Sequence, residues 1–411
     1  MNPGNLSLSG QLPLALFFSP RLCYNGYALA RPGNTPEKGR KSMKKTLMLL
    51  LVLSLLLCGC GAQPAETTAP ITEAPTLATE APTEVPTEAP TEMPTEAPTE
   101  APTEPPVPTN PLTGEVLEAP NDSRTFAVTI NNVPGAMPMY GVSKADLFFE
   151  MFVNDYCTRG LALFSDIREV SSVGSVRSLR LNFSELCKSY DAVVVHAGGR
   201  THVMEHMRQL GVPNVAAETY AGDYYFRDQG RLNAGYAWEH CLFVKGAATR
   251  DFAESRDIRV TREEDADYGL NFREDGTPEN GEAAAAITIN LKQDSITKST
   301  YMQYDADRGA YRFFQYGDAM YDAAEKQDIL FENVIVMFCP VENEGVYHIA
   351  DLIGSGEGYF ACGGQIIPIL WSHDSLEEPI LFTLTDGTQL ELGVGSSYIA
   401  IAPLTSTVEW E

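Results

Sequence analysis

Residues 180–210 read RLNFSELCKSYDAVVVHAGGRTHVMEHMRQL and predict a helix, a strand and a second helix in succession. Apolar side chains in residues 180–190 recur at the spacing of one helical face. Residues 191–196 are a β-branched run that ends before Gly198-Gly199, as expected of a buried strand. Residues 202–210 suit a second helix, stopped by a glycine and a proline. This order predicts helices packed on a sheet.

The flanking sequence extends the sheet on both sides. Residues 126–131 (FAVTIN) and the apolar runs 146–153 and 160–164 predict three more strands. After about residue 285 the apolar runs become short, β-branched or aromatic, and Gly, Asp and Asn separate them, which predicts an all-β part.

We therefore predict an α+β fold with two domains. An α/β layered domain covers residues 111–275, and a β-rich domain covers residues 286–405. The polar stretch at 262–285, rich in Gly and Glu, is interpreted as the connection between them.

The N-terminal region has the features of a bacterial lipoprotein signal. A basic start at Met43 leads into an apolar run that is shorter than the roughly 20 residues of a membrane span. Cys60 directly follows Leu-Cys-Gly, the pattern of a lipobox, whose cysteine is acylated with a lipid such as palmitate. We predict a signal peptide at 43–59 and a lipid anchor at Cys60 on the outer face of the cell membrane. Residues 1–42 lie upstream of this signal and are interpreted as the result of a start codon assigned too early. An ordinary secretory signal or an uncleaved anchor is the alternative.

Residues 60–110 are predicted to be an extended tether. The repeat Thr-Glu-Ala-Pro gives no apolar face to bury, and its prolines and glutamates keep the chain extended. At ~3.1 Å per residue the segment would reach on the order of 140 Å. That reach favours wall material or surface partners over membrane lipid as the target.

The predicted folded part is strongly acidic. The whole chain has a net charge of −26; residues 1–60 carry seven Lys or Arg and one Glu, and residues 61–110 carry nine Glu and no base, which leaves −23 for residues 111–411. Such a body repels nucleic acid and other polyanions at long range. An anionic ligand therefore has to be captured by a local cluster of bases.

Five cysteines fall in the folded part, an odd number with no Cys-x-x-Cys pair. An exported disulfide scaffold normally has an even and denser set. We expect buried free thiols, and one or two bridges remain open among Cys157, Cys187, Cys241, Cys339 and Cys362.

The densest basic feature is GSVRSLR at residues 174–180. If a helix begins near Ser178, that serine is a natural N-cap, and Arg177 and Arg180 point the same way. Two guanidiniums beside a helix N-terminus can hold a phosphate or carboxylate. The alternative is an arginine pair that satisfies internal carboxylates.

His196 ends a predicted strand and is followed by Gly198 and Gly199. In layered α/β folds, ligands bind at the carboxyl edge of the sheet, and glycines there let the backbone approach a ligand closely. Gly-Gly is also common in ordinary strand-to-helix turns.

Residues 202–206 (HVMEH) match an inverted zinc-hydrolase motif. His202 and His206 would share one helical face as Zn²⁺ ligands, with Glu205 as the base. The motif needs a further ligand from elsewhere, so an exposed helical face is the preferred interpretation.

Carboxylates at the ends of apolar runs are candidates for acid–base chemistry. These are Asp146, Glu150 and Asp228, with Arg159 and His240 as basic candidates nearby in the sequence. The alternative is ordinary solvated charge at strand ends.

The chain resembles the YerB-type lipoproteins, a bacterial family with two domains of unknown function. The shared motifs are Asn110-Pro111-Leu112-Thr113-Gly114, Ala127-Val128 with Ile130-Asn131-Asn132, Ala145-Asp146 with Glu150, Thr158-Arg159, Gly174 with Val176-Arg177-Ser178 and Arg180, His196-Ala197-Gly198-Gly199, Phe226-Arg227-Asp228, His240, Asn333-Val334-Ile335-Val336, Gly354-Ser355-Gly356, Trp371 and Asp386-Gly387. The chain departs from the family pattern at Leu181, where a proline is usual, and at Glu239 and Cys241, which flank His240 in place of proline and asparagine. The resemblance implies a cell-envelope lipoprotein with an α/β first domain and a β-rich second domain. It implies no particular reaction, because the family has none established.

We expect a non-catalytic binding or scaffold protein of the cell envelope, without a cofactor or metal. Its partners would be the membrane, through lipid on Cys60, and an anionic wall polymer, lipid-linked phosphate or acidic envelope protein, but no nucleic acid. The predicted anion pocket consists of Arg159, Arg177, Ser178, Arg180, His196, Gly198, Gly199 and His240. The alternative is an envelope hydrolase or transferase that uses Asp146 or Glu150 with His196.

Overall fold

A computed structural model describes residues 107–411. The predictions for residues 1–42, the signal peptide, Cys60 and most of the tether lie outside the described residues. Asn110, predicted as the last residue of the tether, is buried, and its Nδ2 donates to Asp146 Oδ1 at 2.9 Å. The folded body therefore already includes this residue.

The first half of the described chain contains ten strands, four α-helices and four short 3₁₀ turns. The strands are β1 (Phe126–Asn132), β2 (Leu147–Asn154), β3 (Cys157–Phe164), β4 (Val173–Gly174), β5 (Val193–His196), β6 (Asn214–Ala216), β7 (Tyr225–Arg227), β8 (Leu242–Val244), β9 (Asn271–Arg273) and β10 (Glu282–Ala283). The helices are α1 (Leu181–Ser189), α2 (Thr201–Gln209), α3 (Gln229–Asn233) and α4 (Gly246–Glu254), and the 3₁₀ turns are Pro134–Ala136, Val142–Lys144, Ile167–Glu169 and Trp238–His240.

The second half of the described chain consists of strands alone. They are β11 (Ala286–Gln293), β12 (Ile296–Asp305), β13 (Ala310–Gln315), β14 (Asp318–Ala319), β15 (Tyr321–Asp322), β16 (Gln327–Asp328), β17 (Leu330–Phe331), β18 (Asn333–Cys339), β19 (Val341–Glu344), β20 (Tyr347–Ala350), β21 (Gly354–Cys362), β22 (Gln365–His373), β23 (Leu381–Leu384), β24 (Glu391–Gly393), β25 (Ser397–Pro403) and β26 (Thr407–Trp410).

The described chain is rich in strands and has few helices, so the prediction of a β-rich second part holds, whereas the first part has fewer helices than an α/β layer implies. The predicted strands β1, β2, β3 and β5 and the predicted helices α1 and α2 all form, each end within three residues of its expected position. In the first half, β2, β3 and β1 are antiparallel neighbours, and only β1, β5 and β6 run parallel. Regular α/β layering of residues 111–275 therefore stays a prediction.

One central sheet takes strands from both halves. Its order is β10-β22-β21-β18-β25-β2-β3-β1-β5-β6, with β23 paired to β22. Strand β25, from the end of the chain, lies between β2 and β18 and is parallel to both. Because β2 and β25 are covered on both faces, their sequences are nearly continuous apolar runs. The boundary between the two predicted domains stays a prediction.

Each face of the central sheet has its own core. On one face Phe148 packs against a second sheet, of order β14-β13-β12-β11-β26 with β17 paired to β13. Its ring lies 6.0 Å from that of Phe313 on β13 and 6.1 Å from that of Phe331 on β17. On the other face α1 and α2 bury Phe183 and Met207 against the sheet. The alternation of side chains along β2 places Phe148 and Phe149 on opposite faces.

The stretch at 262–285, predicted to be a connection, is part of the folded body. Tyr268 is buried, and its ring lies 6.2 Å from that of Tyr190. Within the same stretch, β9 pairs with β24 and β10 pairs with β22. The polar composition of this segment did not reveal these pairings, because they are made with strands about 80 to 120 residues further along the chain.

The five cysteines of the described residues are free thiols, as expected. Cys157 is half-buried, and the other four are buried. Within residues 107–411, no helix is both long enough and apolar enough to cross a membrane.

Candidate anion-binding site

The carboxyl ends of the parallel strands β1 and β5 lie at one edge of the central sheet, and α1 and α2 both begin there. The segment before α1 runs beside the turn that follows β5. Ala197 N donates to Arg177 O, and Leu179 N donates to Gly198 O, both at 2.9 Å. This pairing brings the basic residues of the two segments to the same edge.

Four arginines gather at this edge. Arg177 and Arg180 precede α1, Arg200 is the residue before α2, and Arg159 lies on β3 opposite Asn131 of β1. Arg159 is only 4% exposed. Burial, together with the nearby charges of Arg180 and Arg177, lowers the pKa of Arg159 to about 9. Three of the four were predicted, and Arg200 was missed.

The four guanidiniums are poorly satisfied. Together they donate four hydrogen bonds, all to backbone carbonyls: Arg159 to Ser178 at 2.6 Å, Arg177 to Glu239 at 3.4 Å, and Arg180 to Leu179 at 2.9 Å and Ser178 at 3.4 Å. No carboxylate oxygen of residues 107–411 lies within 4.0 Å of any of them. The Nε atoms of Arg159, Arg177 and Arg180 are buried without a partner.

The other two buried arginines of the described chain are better satisfied than Arg159. Arg124 is paired with Asp191 and also donates to two carbonyl oxygens. Arg231 is buried and donates to three carbonyls, those of Ala136, Pro138 and His240. The alternative that the Arg177–Arg180 pair satisfies internal carboxylates is therefore wrong.

The second half of the chain adds an aromatic ring to the cluster. The guanidinium carbon of Arg200 lies 4.2 Å from the centroid of the Tyr347 ring, and that of Arg180 lies 5.6 Å from it. Tyr347 begins β20, and the β19–β20 hairpin is fixed to α1 by Asn182. Its side chain donates to Ala350 O at 2.7 Å and accepts from Ala350 N at 2.9 Å. The sequence patterns did not identify Tyr347, because the contact joins distant parts of the chain.

Ser178 is not the N-cap of α1. The helix begins at Leu181, and Arg180 is the capping residue, without a side-chain cap. The carbonyl of Ser178 instead accepts hydrogen bonds from Arg159 and Arg180, so the residue orders the cluster through its backbone. The expectation of an earlier helix start was wrong because residues 176–180 are held by backbone bonds to β1 and Gly198.

His196 is not available to a ligand. Its side chain is completely buried, Nδ1 lies 3.0 Å from Gly198 O, and Nε2 lies 3.2 Å from Asn214 Oδ1. Burial lowers the pKa of His196, so the ring is held neutral. Gly198 and Gly199 are exposed at the edge, and Gly198 has a left-handed φ of +73° with open space around it.

His240 borders the cluster. Its Nδ1 lies 2.7 Å from Asn131 Nδ2, and the carbonyl of the preceding Glu239 accepts from Arg177. Burial lowers the pKa of His240, and the nearby charge of Arg177 lowers it further. Its neighbour Trp238 is exposed.

The acidic candidates lie apart from the arginines. Asp228 caps α3 and accepts a hydrogen bond from Tyr140 at 3.0 Å. Asp146 lies at the other end of the sheet, in a cavity of about 480 Å³, where burial raises its pKa to about 6.

Glu150 is completely buried and forms an ion pair with Lys298. Burial alone would raise the pKa of Glu150, but Lys298 and several hydrogen bonds hold it below its usual range. Strands β3 and β1 separate Glu150 from His196, about 14 Å at ~4.8 Å per strand, and the two side chains lie on opposite faces. The predicted catalytic pairing of Glu150 with His196 is therefore wrong.

The zinc interpretation finds no site in the described residues. His202 Nε2 lies 3.7 Å from Glu344, and His206 Nε2 lies 3.2 Å from Glu185. The two histidines thus contact different carboxylates, and no group of three or more His, Cys, Asp or Glu in residues 107–411 has a geometry that suits a metal.

Two family models match most of the described chain. The N-terminal domain of DUF3048, a protein of unknown function, matches residues 112–259, and its C-terminal domain matches residues 287–399. The chain belongs to the DUF3048 family. The first matched segment contains the four arginines, and the second contains Tyr347.

A curated relative named "Putative lipoprotein YerB", from Bacillus subtilis (strain 168), is 24% identical over 298 residues, which is 71% of this chain and 86% of the relative. The crystal structure of the YerB protein from Bacillus subtilis has the same fold. It matches with a TM-score of 0.63 and 22% identity, over 73% of this chain and 99% of the other.

Proposed function

We propose that this DUF3048 protein is an envelope lipoprotein that binds an anionic partner, without catalysis, at Arg159, Arg177, Arg180 and Arg200. The observation that carries the proposal is that these four guanidiniums donate only four hydrogen bonds, all to carbonyls, and meet no carboxylate in the described chain. Residues 111–411 have a net charge of −23, so acidic partners for arginine are abundant elsewhere in the chain. Arginines that have no acidic partner of their own remain free to bind an anionic ligand.

The envelope location is supported by the name of the relative and by the lipobox ending at Cys60. With the anchor supplied by lipid, the arginines would serve a ligand. Candidate ligands are a carboxylate of a wall peptide, a lipid-linked phosphate and an acidic tail of another envelope protein.

The test compares the purified full chain with Arg177→Ala/Arg180→Ala for binding to envelope fractions. Arg208→Ala is the matched control, because Arg208 is an exposed arginine near the other end of α2. We expect the double variant to lose at least tenfold in binding while its melting temperature stays within a few degrees of the parent. Equal binding by a folded double variant would refute the proposed function.

A further inference from the structure

We infer that the anion is a compact phosphate group with two or more negative charges, a phosphate monoester or a diphosphate. This inference rests on the proposed function and narrows its ligand. It excludes single carboxylates, phosphodiesters and extended acidic peptides as the preferred partner.

The first argument is the charge that has to be balanced. Four guanidiniums share one edge of the sheet, and the nearby charges of Arg180 and Arg177 disfavour the charged form of Arg159. A carboxylate or a phosphodiester supplies one negative charge to this site. A phosphate monoester supplies about 1.5 to 2 at pH 7, and a diphosphate supplies more. The ligand that relieves the most repulsion is therefore the one with the highest charge in the smallest volume.

The second argument is the number of free donors. Arg200 donates no hydrogen bond in the described chain and contacts Tyr347 through the face of the ring, which leaves its N–H groups free. Arg180 contacts the same ring, and its Nε is unpartnered. Guanidiniums bind phosphate oxygens through paired N–H groups. Donors from three separate segments suit the three terminal oxygens of a phosphate better than the two of a carboxylate.

The third argument is the direction of the backbone at the same edge. Helices α1 and α2 are each nine residues long and both begin beside the arginines. Amides in the first turn of a helix have no partner within the helix, and the helix dipole favours negative charge there. The two helix ends therefore make this edge of the sheet more favourable for a compact negative charge.

The fourth argument is the acidic groove beside the cluster. The hairpin that carries Tyr347 also lines a groove of about 460 Å³, whose walls include Glu185, Glu342, Glu344 and Asp351. An acidic peptide or a polyanionic polymer that extended from the arginines into this groove would meet carboxylates. A compact dianion avoids this repulsion, so the groove selects against long acidic ligands.

The test titrates the purified full chain with pyrophosphate, inorganic phosphate, dimethyl phosphate and glutarate at constant ionic strength, and follows the melting temperature. We expect pyrophosphate to bind most tightly, phosphate next, and the phosphodiester and the dicarboxylate at least tenfold more weakly than pyrophosphate. Arg180→Gln/Arg200→Gln should lose the pyrophosphate response, and Arg208→Gln should keep it.

The outcomes separate this inference from the proposed function. If no anion shifts the melting temperature, or if the double variant responds like the parent, the phosphate inference fails; the proposed function fails as well only if Arg177→Ala/Arg180→Ala binds envelope fractions like the parent. If glutarate or dimethyl phosphate matches pyrophosphate and the double variant loses the response, the anion site stands and the preference for phosphate fails. The glutamine variants should be at least as stable as the parent without ligand, so loss of binding would not reflect unfolding.

Discussion

At the scale of single residues, repulsion within the arginine cluster should lower the stability of the ligand-free protein. Arg177 donates one long hydrogen bond and lies close enough to Arg159 to lower its pKa. We predict that Arg177→Gln raises the free energy of unfolding by about 0.5 kcal/mol at low salt, as expected for removal of a like-charge contact near the surface. The gain should fade in 1 M NaCl, where charges are screened beyond about 3 Å. Urea unfolding at two salt concentrations measures both effects.

Arg208→Gln is the control for this prediction, since Arg208 is exposed and lies in the last turn of α2, at the end opposite Arg200. A loss of stability in Arg177→Gln that is equal at both salt concentrations would mean that Arg177 has a packing role in place of an electrostatic one.

The buried pair of Glu150 and Lys298 is the most sensitive contact in the core. Six neighbours surround the carboxylate: Lys298, Asn132, Thr158, Thr300, Gln315 and Tyr398. We predict that Lys298→Met alone costs about 3–5 kcal/mol, because it leaves a buried unpaired charge. Adding Glu150→Gln should recover more than half of that loss. Denaturant unfolding of both single variants and the double variant gives the coupling; a fully additive cycle would show that the pair is not ionic.

Asp146 should make stability depend on pH. Burial raises its folded pKa to about 6, from 3.8 for an unperturbed carboxyl. The folded state therefore holds this proton more tightly, and stability falls as the pH rises from about 4 to 6. Asp146→Asn should gain about 1–2 kcal/mol relative to the parent over that window, after allowance for solvent screening of a half-buried group. Asp307→Asn, in an exposed turn, should show no such trend; a constant difference for Asp146→Asn would contradict the shifted pKa.

At the scale of secondary structure elements, periodicity predicted α1, α2, β1 and β5 well, because each element has a strong local pattern of its own. Local pattern also located three of the four arginines. It failed for the start of α1, where pairing of the chain with β1 and Gly198 overrides the capping preference of Ser178. It also failed for Tyr347 and Lys298, whose partners lie about 150 residues away in the chain.

The β19–β20 hairpin should support the site indirectly. Asn182 of α1 makes two hydrogen bonds with the backbone of Ala350, and the same hairpin carries Tyr347. We predict that Asn182→Ala lowers the free energy of unfolding by about 1–3 kcal/mol, because buried backbone groups lose their partners. It should also weaken pyrophosphate binding several-fold, although Asn182 is not one of the proposed ligand-binding residues. Unchanged binding in a destabilised Asn182→Ala would show that the hairpin does not position Tyr347; Tyr347→Phe is the control that retains the ring.

At the scale of the whole molecule, the two halves should fold together. Strand β25 covers the edge of β2, and Phe148 of the first half packs among Phe313, Phe331 and Tyr398 of the second. We predict that residues 107–285, expressed alone, do not form a stable fold, because an apolar edge and an apolar face are both left open. Proton NMR dispersion and protease resistance test this; a well-dispersed, resistant fragment would show that the first half is independent.

The sequence alone predicted two parts in succession, and the family match also has two segments. The position of β25 between β2 and β18 could not be predicted from the sequence. Both neighbours of β25 are apolar runs, and such runs can pair with many strands.

The placement of Asn110 has a mechanical consequence. The described chain enters the body at Asn110, beside Asp146, which precedes β2 and is bonded to the far end of β3. Arg159 lies near the opposite end of β3. Tension between the incoming chain and a ligand held by the arginines would therefore run along β1, β2 and β3, parallel to the strands. Rupture in that direction has to shear many interstrand hydrogen bonds at once, whereas a pull across the strands would open them one by one.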